Sequence, residues 1–174
     1  MSKIGDMLVL VDENNTEIGS ENKLKTHQTG ALHRAFSIVI FDDEGRMLLQ
    51  QRSLIKYHCG GLWTNTCCSH PQVNQTMDEA LHKRLQFEMG FDCPLTFHHS
   101  FTYRAEFEDT GLIEHEFDHV YTGLFNGAPQ PNPDEVMAYA WHDMDELDAL
   151  IVKEPERFTP WFIMIANELR NEKA

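Results

Sequence analysis

The chain reads as an α+β protein, a mixed central β-sheet flanked by helices, and three features carry that reading. Ala35–Phe41 (AFSIVIF) is a run of β-branched and aromatic residues of the kind that fills a buried strand. Thr76–Gly90 has both a start and a stop signal for a helix. The middle of the chain, Leu95 to Phe125, holds two long β-favouring stretches around a turn, with helical patterns before and after it.

Taken in order, Leu8–Val11 is a short apolar strand closed by the polar turn Asp12-Glu13-Asn14-Asn15, and a basic segment, Lys23–His27, follows. Asp43-Glu44-Gly45 turns the Ala35–Phe41 strand into a second one, Met47–Gln51. Gly60-Gly61 marks a loop before Trp63–Cys68. In Thr76–Gly90 the residues Thr76 and Glu79 form a capping box, and Gly90 ends the helix. Met77, Ala80, Leu81 and Phe91 share one face, whereas Asp78, Glu79, His82 and Gln86 point away from it. Arg84 and Glu88 fall on the apolar stripe and call for an explanation, for which spacing alone offers a buried i, i+4 ion pair. Beyond Pro94 come strands at Leu95–Phe107 and Ile113–Phe125, joined at Asp109-Thr110-Gly111. The loop opened by Asn126-Gly127 leads to a short strand, Val136–Trp141, and to helices Met144–Val152 and Pro160–Arg170. Thr159 caps the last of these, with Pro160 at its first position. Neither a repeat nor a Pro/Ser-rich linker divides the chain, so a single domain over residues 1–174 is expected.

A chain of 174 residues, 41% hydrophobic and 24% charged, can bury a core without metal or disulfide staples. Its 28 acidic and 14 basic residues leave a net charge of −14, which excludes a general nucleic-acid binder and argues against docking on anionic membranes. An anionic ligand must therefore be held by a local basic cluster. No apolar run approaches the roughly 18 residues of a membrane span, and Met1–Leu10 lacks the pattern of a secretory signal. Cys67 and Cys68 are adjacent, and with Cys59 and Cys93 they suit free thiols in a reducing cytoplasm. With no long exposed apolar stripe, a monomer is expected.

The segment Glu114–His119 (EHEFDH) admits two readings. As a strand it sets Glu114, Glu116 and Asp118 on one face, at its blandest a solvated acidic edge. As a helix, His115 and His119 match the H-E-x-x-H pattern of zinc proteases. His27, His33 and His70, with two carboxylates, would fill an octahedral site for Mn, Mg or Zn if they converge. Lys23, Arg52, Lys56 and Arg84 are scarce cations that together would form an anion pocket. Cys67 and Cys68 stand just before His70 and read either as small buried thiols or as a Cys–His pair. No second ligand pair has zinc-finger spacing.

Leu32–Phe36 (LHRAF), Leu48–Arg52 (LLQQR), Thr64–Pro71 (TNTCCSHP), Phe101–Ala105 (FTYRA), Glu114-His115-Glu116 and Pro160-Trp161 occur in this order. Together they resemble type I isopentenyl diphosphate isomerases, on a Nudix-like fold. The resemblance runs from about Met7 to Leu169, and TNTCCSHP is its most specific stretch. It implies interconversion of isopentenyl and dimethylallyl diphosphate, through protonation, a tertiary carbocation and deprotonation, as part of isoprenoid biosynthesis. It implies Cys68 as catalytic thiol, Glu116 as acid with Tyr103 beside it, and Trp161 as the aromatic against the reacting carbons. It implies His27, His33, His70, Glu114 and Glu116 as ligands of a divalent metal, Mn2+, Mg2+ or Zn2+. Glu88 is implied as a ligand of Mg2+ bound with the diphosphate, and Lys23, Arg52, Lys56 and Arg84 as the diphosphate's cations. On this view Arg84 and Glu88 share a helix face because they serve one ligand. Two departures stand out. Lys83-Arg84 and Phe87-Glu88 occupy places where Nudix hydrolases carry Arg-Glu and Glu-Glu, which weakens the expectation of pyrophosphate hydrolysis. Ser69 stands where some members carry Gly.

Overall fold

The computed structural model describes residues 6–56 and 58–173. Its strands are β1 (Met7–Val11), β2 (Glu17–Asn22), β3 (His33–Phe41), β4 (Met47–Arg52), β5 (Trp63–Thr64), β6 (Cys67–Ser69), β7 (Leu95–Phe107), β8 (Leu112–Leu124) and β9 (Val136–His142). The helices are α1 (Lys23–Thr29), α2 (Met77–Met89), α3 (Met144–Lys153) and α4 (Pro160–Lys173). The architecture is the expected α+β mixture. β2 and α1 are the additions: β2 (EIGSEN) has no apolar alternation and is held by its pairing to β1, while the basic segment becomes helical through its caps. Asn22 accepts from the backbone of Lys25, and Gly30 closes α1 in the left-handed conformation. No described helix is long and apolar enough to cross a membrane.

β3 is the axis of the sheet. It pairs antiparallel with β1, β4 and β6, and parallel with β8 along its whole length. β8 is paired on its other side with β7, so Glu114–His119 is neither a helix nor an exposed edge. The H-E-x-x-H reading fails with it. His115 and His119 donate from Nδ1 to Gly30 O and Ala35 O, each at 3.0 Å, on the face opposite the carboxylates.

Both faces of the sheet are covered, which is why β3 is apolar almost without interruption. Phe36, Ile38 and Ile40 pack with Leu81, Leu85 and Met89 of α2, whereas Val39 and Val120 pack with Leu147 of α3 and Trp161 and Phe162 of α4. The same alternation separates the adjacent cysteines. Cys67, opposite Ile38, belongs to the α2 core, and Cys68, opposite Ser37, packs toward α4.

α2 begins with the capping box seen in the sequence, and Gly90 ends it at φ +73°. A loop docks on that end: Gln130 N donates to Met89 O at 2.8 Å, and Asn132 N donates to Glu88 O at 2.9 Å. A Cβ on Gly90 would lie 2.4 Å from Gln130 O. Gly90→Ala is therefore expected to destabilise the protein by roughly 1–3 kcal/mol, read as a lower denaturant midpoint at unchanged m-value.

Candidate active site

Strand register brings the first residues together. His33 on β3 lies directly beside Glu116 on β8, and Tyr103 on β7 lies beside Glu116 on the other side. Glu114, two residues back, faces the same way, so two carboxylates only 5% and 7% exposed share one buried face. Isolated ionised carboxylates are not tolerated at such depth, and here they are met by imidazoles. His27 Nε2 lies 2.7 Å from Glu114 Oε1, His70 Nε2 lies 2.8 Å from Glu116 Oε2, and His33 Nε2 lies 3.5 Å from the same oxygen.

The tautomers show what this cluster is built for. His27 Nδ1 is 2.7 Å from Lys23 O and His33 Nδ1 is 3.0 Å from Ala31 O. A carbonyl only accepts, so each Nδ1 carries the proton and each Nε2 turns a lone pair toward a carboxylate. Lone pair against lone pair requires a proton or a cation between them. Burial opposes a charge on His33, yet the Glu116 and Glu114 carboxylates raise its pKa. Burial also works against ionising Glu114, but His27 and His58 outweigh it and hold that carboxyl well below its usual range. Glu116 is likewise lowered, burial and the Glu114 charge being overcome by His33 and His70. Burial pushes His70 down to about 4, leaving a neutral imidazole. Deprotonated carboxylates and imidazoles oriented by backbone carbonyls are the state a divalent ion requires. Donor atoms of His27, His33, His70 and Glu114 all lie within 4.8 Å of one another, and Glu116 adjoins them through His33 and His70.

Beside this cluster lies a cationic one. Arg84 of α2 pairs through Nε with Glu88 Oε2 at 2.5 Å and through Nη2 with Glu135 Oε1 at 3.1 Å. The buried ion pair expected from spacing is thus present, and Glu88 is further held by Gln50 Nε2 at 2.9 Å. Lys56 pairs with Glu135. Lys23 opens α1, and burial together with the Lys56 charge lowers its pKa to about 8. Arg52 donates from Nε to His58 O at 3.1 Å, stands 3.8 Å from Cys68 Sγ, and places its guanidinium 5.3 Å from the centre of the Trp161 ring. Burial pushes the Cys68 thiol up to about 12, with Arg52 opposing the shift. Tyr103 and Trp161, each 4% exposed, meet edge to face at 6.0 Å between centroids. Neither the Tyr103 hydroxyl nor the Trp161 Nε1 has a hydrogen-bond partner among the described residues.

One cavity of about 50 Å3 joins these groups. Its walls include the cations Lys23, Arg52, Lys56 and Arg84, the thiol of Cys68, the His70, Glu114 and Glu116 side chains of the cluster, and the Trp161 ring. Tyr103 sits behind Glu116, and Glu88 behind Arg84. Two residues, His58 and Glu135, escaped the sequence reading, and a third, Asp118, was placed on the carboxylate face without a role. His58 lies 3.2 Å from Glu114 Oε1 and stacks on Phe107 at 4.9 Å. Glu135 pairs with two of the cations. Asp118 accepts from Ser37 at 2.8 Å, and burial and the Glu116 charge raise its pKa well above the carboxylate range. Asp118 was visible in the i, i+2 pattern of carboxylates, whereas His58 and Glu135 lie in irregular segments that carry no periodic signal.

Known proteins resemble this chain in sequence and in fold. The NUDIX domain family matches residues 31–162. DR0079 of Deinococcus radiodurans superposes with a TM-score of 0.70 at 19% identity over 85% of this chain and 90% of its own, and a MutT protein of Methanosarcina mazei superposes with 0.66 at 14% over 82% and 95%. Those similarities establish the fold. An isopentenyl-diphosphate Delta-isomerase of Serratia proteamaculans is 51% identical over 94% of this chain and 91% of its own length, and one of Streptomyces griseus is 43% identical over 94% and 83%. With the NUDIX fold and relatives this similar along nearly their whole length, the chain belongs to the isopentenyl-diphosphate Delta-isomerase family.

Proposed function

We propose that this protein interconverts isopentenyl and dimethylallyl diphosphate, with the diphosphate among Lys23, Arg52, Lys56 and Arg84 and the five-carbon chain between Cys68, Glu116 and Trp161. The observation that carries this reading is the single cavity lined at once by four cations, a thiol, a buried carboxylate and an indole. Its residues come from segments spread between Lys23 and Trp161, so one domain performs the whole task.

An unactivated alkene is a weak base, so moving its double bond demands a positioned acid, a second group to exchange a proton at C2, and shelter for a tertiary cation. Glu116, ionised at rest, must first take up a proton before it can deliver it to C4, and the hydroxyl of its strand neighbour Tyr103 lies within the same buried layer. Trp161 presents its ring to the cation at C3, a role prefigured by the guanidinium that rests over it. Cys68 exchanges the proton at C2. As the buried thiol it is ready to protonate dimethylallyl diphosphate, and in the forward direction Arg52 favours the thiolate that must accept. The burial of Trp161 and Tyr103 keeps water from trapping the cation. His27, His33, His70, Glu114 and Glu116 would hold a divalent ion (Mn2+, Mg2+ or Zn2+) that would supply positive charge beside the acid, and Glu88, if released from Arg84 or Gln50, would hold Mg2+ that would offset the diphosphate charge.

The decisive measurement follows substrate protons by NMR during incubation with isopentenyl diphosphate and Mg2+ in D2O. Cys68→Ala is expected to reduce exchange and turnover by roughly 10^2-fold or more, while Cys67→Ala, altering only the α2 core, keeps both. Equal activity of the two variants would overturn the assignment. Trp161→Phe should retain partial activity, whereas Trp161→Leu should lose about 30-fold, the worth of a desolvated cation–π contact of about 2 kcal/mol. For the metal cluster, protein stripped by chelation should melt at lower temperature and recover on adding Mn2+ or Zn2+. His58→Ala, which removes a support of Glu114, is expected to weaken metal binding by about 10- to 100-fold in calorimetry, with the fold intact by circular dichroism.

A further inference from the structure

Glu135 lies in the loop before β9 and takes no part in the chemistry above, yet it is only 1% exposed. Its two oxygens divide between two cations of the anion site, one pairing with Lys56 and the other standing 3.1 Å from Arg84 Nη2. A carboxylate at this place repels the ligand the cations are there to bind, so its presence calls for a compensating benefit. Three other buried carboxylates serve the site, Glu88, Glu114 and Glu116, and under the proposed function each has a metal to hold. Glu135 has none.

The surroundings of Glu135 suggest the benefit. Its main chain is fixed: its N donates to Asn132 O at 2.9 Å, its O accepts from Ser53 N at 3.0 Å, and Asn132 N is bonded to Glu88 O at the end of α2. Lys56, by contrast, belongs to the irregular segment after β4, preceded by Leu54 and Ile55 at 72% and 73% exposure. A lysine has a long stem and many rotamers, and one left in water must be immobilised at the moment of binding. Glu135 holds the Lys56 ammonium in the cavity and Arg84 beside it before any ligand arrives.

We infer that Glu135 is a positioning residue of the anion site, which sets Lys56 and Arg84 in the arrangement that grips the diphosphate. The inference rests on these cations being the diphosphate site. It differs in sign from the simpler role of a counter-ion that the ligand must displace, whose removal would tighten binding.

The test uses inorganic pyrophosphate with Mg2+ as the probe, titrated calorimetrically into the wild type, Glu135→Gln, Lys56→Gln, Arg84→Gln and the double variant of positions 56 and 135. Glu135→Gln is expected to weaken pyrophosphate about tenfold, the scale of immobilising one long side chain, although it makes the site more positive. It should raise the KM for isopentenyl diphosphate similarly and leave kcat within a few-fold, a split that general loss of structure does not produce. Because the effect runs largely through Lys56, the double variant should bind nearly as Lys56→Gln alone. Unchanged or tighter binding by Glu135→Gln, with Lys56→Gln and Arg84→Gln both weakened, overturns the positioning role and leaves the anion site standing. Unchanged binding in Lys56→Gln and Arg84→Gln overturns the anion site and the inference with it. Should Glu135→Gln fail to fold, the double variant, which leaves no unpaired ammonium, decides: binding tighter than in Lys56→Gln alone overturns the positioning role.

Discussion

Two carboxylates buried side by side on a central strand constrain everything around them. Glu114 and Glu116, only 5% and 7% exposed, cannot both be ionised at that depth unless positive charge surrounds them. The protein meets that demand with imidazoles from four different segments, among them His58 of the loop after β4. α1 contributes His27, β3 contributes His33, and the turn after β6 contributes His70. Backbone carbonyls at Lys23 and Ala31 fix His27 and His33 with their lone pairs inward, an arrangement that suits a cation between imidazole and carboxylate.

The same separation of charge explains the rest of the cavity. A protein of net charge −14 repels anions at long range, so a diphosphate would have to be admitted by a short-range cluster. Arg84, Lys56, Arg52 and Lys23 line one cavity and would supply it, and Glu88 and Glu135 are ion-paired with two of the four. Anchoring cations with carboxylates lowers the net positive charge of the site, but it removes the freedom that long side chains would otherwise lose on binding.

Burial acts in opposite directions on the two groups that would exchange protons. It raises the Cys68 thiol, while the histidines keep Glu116 ionised against the same burial. The site at rest therefore holds a protonated sulfur and a deprotonated carboxylate on the same side of the sheet, and adjacent Arg52 biases the sulfur toward releasing its proton. The neighbouring Cys67, a single residue away, is excluded from this chemistry because strand alternation turns it into the other core.

Much of this was legible in the linear chain. The apolar run of β3 and the capping box and glycine stop of α2 are local signals, set by propensity and capping that need no distant partner. The TNTCCSHP stretch, with the scattered histidines and the Arg84–Glu88 pair on an apolar face, was enough to suggest the site residues through resemblance. The linear chain left open whether Glu114–His119 was a helix, an edge or a buried strand, because a short alternating segment fits each, and only pairing on both sides decides. It could not reveal His58 or Glu135, since irregular loops have no period and their roles arise from what they approach. Periodicity and propensity assign residue types to the faces of each element. Which faces meet is set by the register of β3 against β8 and β6, because only long-range backbone pairing can put His33 beside Glu116 and Cys68 beside Ser37.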